Sequence, residues 1–259
     1  MKRTLQICNL LALIFTLIIN YLSNTGIFNG NTMASVSANY QNLFTPAGYA
    51  FSIWGIIYIG LFFFVIYQGR SIFKKTADDE MVMQIGWWFV ISCFANSIWI
   101  LAWLYDFTGF SVLIMFILLF SLIQIVIRTE MELTLIPLKK IAFLWWPFAI
   151  YSGWVTVASI ANISAYLTKI GWEGFGISDV SWAIIMICIA GVINLLMIWG
   201  RNMREFGLVG IWALVAVAVA NSDSYPLVEV AAFIVAAIIF INTSVHAFLN
   251  RRRLFKLHS

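Results

Sequence analysis

Long apolar runs, separated only by short polar or charged segments, leave this chain very few folds. Eight such runs can be read, at about 5–22, 48–68, 84–104, 109–127, 141–166, 180–199, 207–221 and 226–249. About 20 apolar residues cross the hydrocarbon of a bilayer as a helix. With no water there, every backbone group must pair within the structure, which only helices and closed barrels achieve. Barrel strands alternate apolar and polar positions, so unbroken runs select helices. With 63% hydrophobic and 10% charged residues and a mean hydropathy of +0.95, the chain could not keep its apolar area from water as a soluble domain. The sequence therefore predicts an all-α, polytopic membrane helical bundle with eight transmembrane helices. The seventh rests on LVGIWALVAVAVA alone.

The charges orient this bundle. An N-terminus inside puts Lys2, Arg3, Arg70, Lys74, Lys75, Arg128, Lys139, Lys140, Arg201, Arg204, Arg251, Arg252, Arg253 and Lys256 on the cytoplasmic side and leaves only Lys169 outside. Fourteen of the 15 basic residues then agree, which fixes an even number of spans and predicts a multi-pass cell-membrane protein with both termini cytoplasmic. The net charge of +4 reflects this topology and an attraction to membrane lipid, and gives no support for nucleic acid as a partner. The first run has the basic start of a signal peptide but no adjacent small-x-small cleavage site, so it is read as the first helix. Cys8, Cys93 and Cys188 lie in or near separate runs without ligand spacing and indicate neither a disulfide framework nor a zinc site.

Two external connections stand out. Residues 23–47 are polar but uncharged, and a connection of this length suits a lid or binding loop. Residues 167–179, with three glycines, separate the first five runs from the last three. The chain is accordingly divided into a five-helix module at 1–168 and a three-helix C-terminal extension at 169–259, packed in the same membrane domain. The cytoplasmic connections carry no nucleotide-binding glycine loop. No internal repeat of the kind that builds many transporters is visible.

Polar and aromatic residues share helix faces in three runs. Trp54 and Tyr58 are one turn apart in the second, Asn96, Trp99 and Trp103 follow one side of the third, and Tyr151, Trp154, Ala158 and Asn162 step along the fifth. Counted along their helices, Trp54, Asn96, Trp99 and Asn162 reach a common depth in the outer half, with Tyr58 and Trp154 somewhat deeper. A cavity there would offer aromatic walls to a flat apolar molecule and two amides to its polar edge. Asparagines also join helices as structural contacts, and polar residues also line hydrated paths. Spacing alone leaves pocket, packing and transport path open.

The same residues carry a resemblance. Over roughly residues 5–166 the chain resembles the translocator protein or tryptophan-rich sensory protein family, also called the peripheral-type benzodiazepine receptor family. Tyr40, Leu43 and Pro46 in NYQNLFTP are similar to the family's first-loop pattern, and Phe51, Trp54 and Tyr58 to its second-helix signature. Asn96 and Trp99 match the asparagine-x-x-tryptophan of its third helix, and Trp154, Ala158 and Asn162 the spacing in its fifth. The resemblance implies a five-helix bundle, often a homodimer, whose pocket below the first loop binds tetrapyrroles and other hydrophobic molecules. It implies wall contacts from Trp54, Tyr58, Trp99 and Trp154, hydrogen bonds from Asn96 and Asn162, lid contacts from Tyr40 and Leu43, and room for the ligand beside Ala158. No cofactor is required, and haem or another porphyrin enters as a ligand. Asn39 stands where the family commonly has a tryptophan, and Pro147 is displaced from the usual proline-tyrosine pair. These departures count against strong porphyrin binding and against light-dependent porphyrin breakdown, and the chain is not read as an enzyme.

The expected function is thus a membrane receptor or carrier for a hydrophobic small molecule. A secondary transporter using the extra helices, with Asn194 and Asn242 adding polar positions, is the alternative, and a non-catalytic structural membrane protein a third. His246, one turn from Asn242, has no acidic partner at ligand spacing and reads as a packed or snorkelling side chain, and Glu229 as interfacial.

Overall fold

The computed structural model describes residues 1–73 and 80–255, which are all-helical with connecting turns. The expected cytoplasmic residues Lys74, Lys75 and Lys256 lie outside the described residues. In chain order the helices are α1 (Lys2–Leu22), α2 (Met33–Asn39), α3 (Ile53–Phe73), α4 (Glu80–Ile85), α5 (Trp88–Leu104), α6 (Thr108–Arg128), α7 (Leu138–Lys140), α8 (Trp146–Lys169), α9 (Asp179–Arg201), α10 (Arg204–Asn221) and α11 (Pro226–Phe255). Large apolar side chains cover the outward faces, as on α3, where Ile56, Ile59, Phe62, Phe63 and Ile66 are all exposed. Such a band suits lipid and would be untenable in water.

Among the described residues, seven helical segments are long and apolar enough to cross a membrane, not the eight expected. The exception is the third run. Gly86, at φ +56°, interrupts that run after α4, so α5 begins only at Trp88 and has 17 residues, about 25 Å of helix. The seventh run, the weakest in sequence, forms α10 with 18 residues. A five-residue π-helical stretch, Ile141–Trp145, leads into α8 immediately before Pro147. Proline has no N–H to give the preceding turn, and a wider turn lets the hydrogen-bond ladder pass it.

The helices α1, α3, α8, α6 and α5 close a ring, each packed on the next and α5 on α1. Polar contacts join the seams: Gln6 and Asn9 of α1 donate to the Gln68 carbonyl and side chain at 2.6 and 2.9 Å, and the Thr16 hydroxyl donates to the Cys93 carbonyl at 3.0 Å. Within lipid, such bonds between helices replace the hydrophobic effect as an ordering force.

Outside the ring, α10 packs on α8, and α9 and α11 pack on α10 and on each other. Gly153 of α8 makes this junction close. A Cβ there would lie 3.1 Å from the Val209 Cβ and 3.2 Å from the Phe206 carbonyl oxygen of α10. At the α9–α10 turn, Asn202 takes a left-handed conformation with φ +58°, which ends α9, and donates to the Glu132 carbonyl at 3.0 Å.

Candidate ligand-binding site

The connection between α1 and α3 lies across one end of the ring. Gly26, Asn29 and Gly30 adopt positive φ and turn the chain after α1. The Thr32 hydroxyl then accepts from Ser35 N at 3.1 Å, with the Ser35 hydroxyl accepting from Thr32 N in return, and this capping box starts α2. Asn31 donates to the Leu104 carbonyl at 3.0 Å, holding one end of the connection to α5. The other end is held by α10: Ala47 N donates to the Ala216 carbonyl at 2.9 Å and the Asn221 amide to the Leu43 carbonyl at 3.0 Å. The lid is therefore attached to both the ring and the extension.

Below it, Trp54 of α3 is the centre of an aromatic cluster. Its ring stacks on Tyr58 at 5.5 Å and on Trp99 at 6.3 Å, and meets Tyr151 and Trp154 edge-on at 5.8 and 6.4 Å. Trp103 extends the stack from Trp99 at 6.4 Å. These separations are those at which aromatic pairs attract through offset and edge-to-face contact. The Trp99 N–H donates to Asn162 Oδ1 at 2.6 Å, and the Asn162 amide donates to the Ser111 hydroxyl at 2.9 Å, so α5, α6 and α8 are joined at one point.

Two cavities adjoin this cluster. The larger, about 720 Å³, lies between α1, the lid and α3, with Asn20, Ser23, Ser37 and Thr45 supplying polar lining. The smaller, about 60 Å³, is enclosed by α3, α5, α8 and the lid. Trp54, Trp99 and Phe51 line both, so the aromatic cluster forms the partition between them. The indole N–H of Trp154, which lines the smaller cavity, is buried without a hydrogen-bond partner among the described residues. Buried polar groups are nearly always paired, so this N–H is a place for a ligand acceptor.

The sequence pattern of the family described as TSPO-like protein matches residues 6–245. The chain belongs to that family. The match continues beyond the first five runs through α9, α10 and much of α11, so the TSPO-like pattern takes in the helices that set this chain apart from a five-helix bundle. No curated protein and no solved structure matches the chain.

In this TSPO-like chain the anticipated site residues distribute unevenly. Tyr40, Trp54, Trp99, Trp154, Ala158 and Asn162 line the smaller cavity, and Trp54, Tyr58 and Trp99 the larger. Asn96 lines neither: it is fully buried, and its Oδ1 accepts from Asn20 of α1 at 2.9 Å. Leu43 lies on the far side of the lid, facing α8 and α9. Asn20 and Ser111, which hold the two amides, were not anticipated. An asparagine within the apolar first run is itself a signal of a buried polar contact, whereas a helical serine carries none.

The TSPO-like lid also carries a charged latch. The Tyr40 hydroxyl donates to Asp106 Oδ1 at 2.7 Å, and Lys169, at the end of α8, pairs with Asp106 Oδ2 at 2.8 Å. Burial alone would raise the Asp106 carboxyl, but the hydrogen bonds from Lys169 and Tyr40 and the Lys169 charge outweigh it and hold it below its ordinary value. The hydrogen bond to Asp106 is the main reason that the Tyr40 phenol is raised.

Proposed function

We propose that the chain is a membrane-embedded receptor or carrier for a flat hydrophobic molecule, bound against the Trp54–Trp99 cluster beneath the lid. The observation that supports this reading is a cavity of about 720 Å³, inside the size range of small-molecule pockets, meeting the stacked indoles of Trp54 and Trp99. The smaller cavity has no room for such a molecule unless Trp54 or Trp99 turns aside, so the larger cavity is the receiving chamber and the smaller one the space into which the rings can move.

Tetrapyrroles belong to this class, and such a ring would be held by stacking on Trp54 and Trp99. By the charge distribution, the lid faces outside, and the ligand meets the protein from that side.

The test is a spectral and fluorescence titration of lipid-reconstituted protein with haem and protoporphyrin, repeated for Trp99→Phe and Asn162→Ala. Saturable binding weakened in both variants is the expected result. Absence of saturable binding for these and for a broad panel of flat hydrophobic molecules would remove the proposal.

A further inference from the structure

A third cavity, of about 590 Å³, lies on the other side of the lid, where residues 41–44 meet the ends of α8 and α9. It is formed jointly by the five-helix ring and the extension. Trp172, Trp182 and Tyr225 give it aromatic walls, and Asp179 brings a carboxylate to it. The two indoles stand 5.1 Å apart and tilted by 53°, so they present two differently directed faces instead of one stacked pair.

Three donors along this wall are committed elsewhere. The Ser164 and Thr168 hydroxyls donate back to helix carbonyls at 3.0 Å, of Ile160 and Ser164 respectively, and the Trp182 N–H donates to the Gly174 carbonyl at 2.8 Å. Gly174 permits that last contact: it has φ +65°, and a Cβ would lie 2.9 Å from the indole nitrogen. With these protons engaged, the two hydroxyls offer lone pairs and Trp182 its electron-rich face. Among the described residues, no lysine, arginine or histidine lines the cavity. The partial positive charge at the start of α9 is opposed by Asp179 at its first position, while Ser178 already caps the helix through Ser181 N.

We infer that this cavity binds an organic cation of the quaternary ammonium type, held by the faces of Trp172 and Trp182 with Asp179 as counter-charge. Aromatic faces attract such cations through the ring quadrupole. The inference is independent of the ligand proposed for the other side of the lid. Two sources share this chemistry, a free organic cation and the choline headgroup of a lipid.

The experiment is calorimetric titration of the full chain, in nanodiscs of uncharged glycolipid, with benzyltrimethylammonium and with its neutral isostere in which carbon replaces nitrogen. Saturable binding of the cation is expected, weakened about tenfold by Asp179→Asn and by Trp172→Leu and largely kept by Asp179→Glu, with the isostere binding at least tenfold worse. Equal binding of the isostere, indifference to both weakening variants, or no saturable heat from the unmodified chain would overturn the inference. Repeating the titration in phosphatidylcholine nanodiscs separates the sources: a lower apparent affinity for the probe identifies the lipid headgroup as occupant, and an unchanged one identifies a free cation.

Discussion

Trp99 and Asn162 fasten the wall of the smaller cavity across two helices, with 2.6 Å between the indole nitrogen and the amide oxygen, and Ser111 fixes the amide from a third. Because both residues are buried, neither lost bond can be replaced freely by water. The pair acts as a positioning device for the aromatic cluster as well as a lining of the site.

Asn162→Ala should lower stability by about 2 kcal/mol, since it leaves the buried Trp99 N–H without its acceptor and removes the amide that joins α8 to Ser111, whose hydroxyl still donates to the Thr108 carbonyl at 2.7 Å. Adding Trp99→Phe removes that orphan, so the double variant should lose less than the sum of the single losses. Thermal unfolding of all four proteins in one detergent measures this coupling. Strict additivity would show that the bond contributes nothing.

Gly153→Leu should separate the ring from the extension. Its side chain would have to displace the α10 backbone at Phe206, already 3.2 Å from the position of a Cβ, and a loss of about 2 kcal/mol or more is expected. Gly55→Ala, with nothing within 4 Å of the added carbon, should leave stability unchanged or slightly raised. Melting temperatures of the two variants, set beside the unmodified chain, check the contrast.

Asp106→Asn should loosen the lid more than it destabilises the fold. The paired side chains are 30% and 45% exposed, so the ion pair contributes within about 1 kcal/mol. Hydrogen exchange in residues 33–40 should nevertheless quicken, and a bound ligand should dissociate faster. Acid should reproduce this: a carboxyl held below its ordinary value of 3.8 supports the latch above that pH and releases it as pH falls through the depressed value. Exchange that is indifferent both to the substitution and to acid would sink the latch.

Glu132 should make stability fall as pH rises. Burial, with the Glu205 carboxylate adding to it, pushes Glu132 up from 4.5 to about 7. Between those values the folded chain holds a proton that the unfolded chain has lost, so this group's contribution declines from about pH 4.5 through about 7 and is level above. Glu132→Gln should flatten that portion of a melting-temperature profile and raise its neutral end. An unaltered profile would show that Glu132 titrates normally.

The helical membrane architecture was legible because a bilayer imposes one length and one polarity on anything that crosses it. Trp54, Trp99, Trp154 and Asn162 could be placed near one another by counting turns, since side-chain direction on a helix follows from sequence position. Asn96 could not be separated from them by that means. Its helix face was predictable, but whether α1 would supply a partner such as Asn20 depended on the order of helices around the ring. Likewise, Leu43 was expected on the ligand side of the lid and lies on the other, because lid residues have no period from which direction can be read. The shortening of α5 came from Gly86, whose freedom to take positive φ is available to any glycine and used by few.

The close contact at Gly153 also makes the bundle mechanically uneven. The α8 wall carrying Trp154, Ala158 and Asn162 is backed by α10, which in turn is flanked by α9 and α11, whereas α1 borders the larger cavity with exposed Ile14, Phe15 and Ile18 on its outward face. Pushing α8 outward would mean displacing three helices together; pushing α1 outward displaces lipid. Expansion to admit a bulky guest should therefore take place at the α1 side of the larger cavity, while the extra helices stiffen the α8 wall of the smaller one.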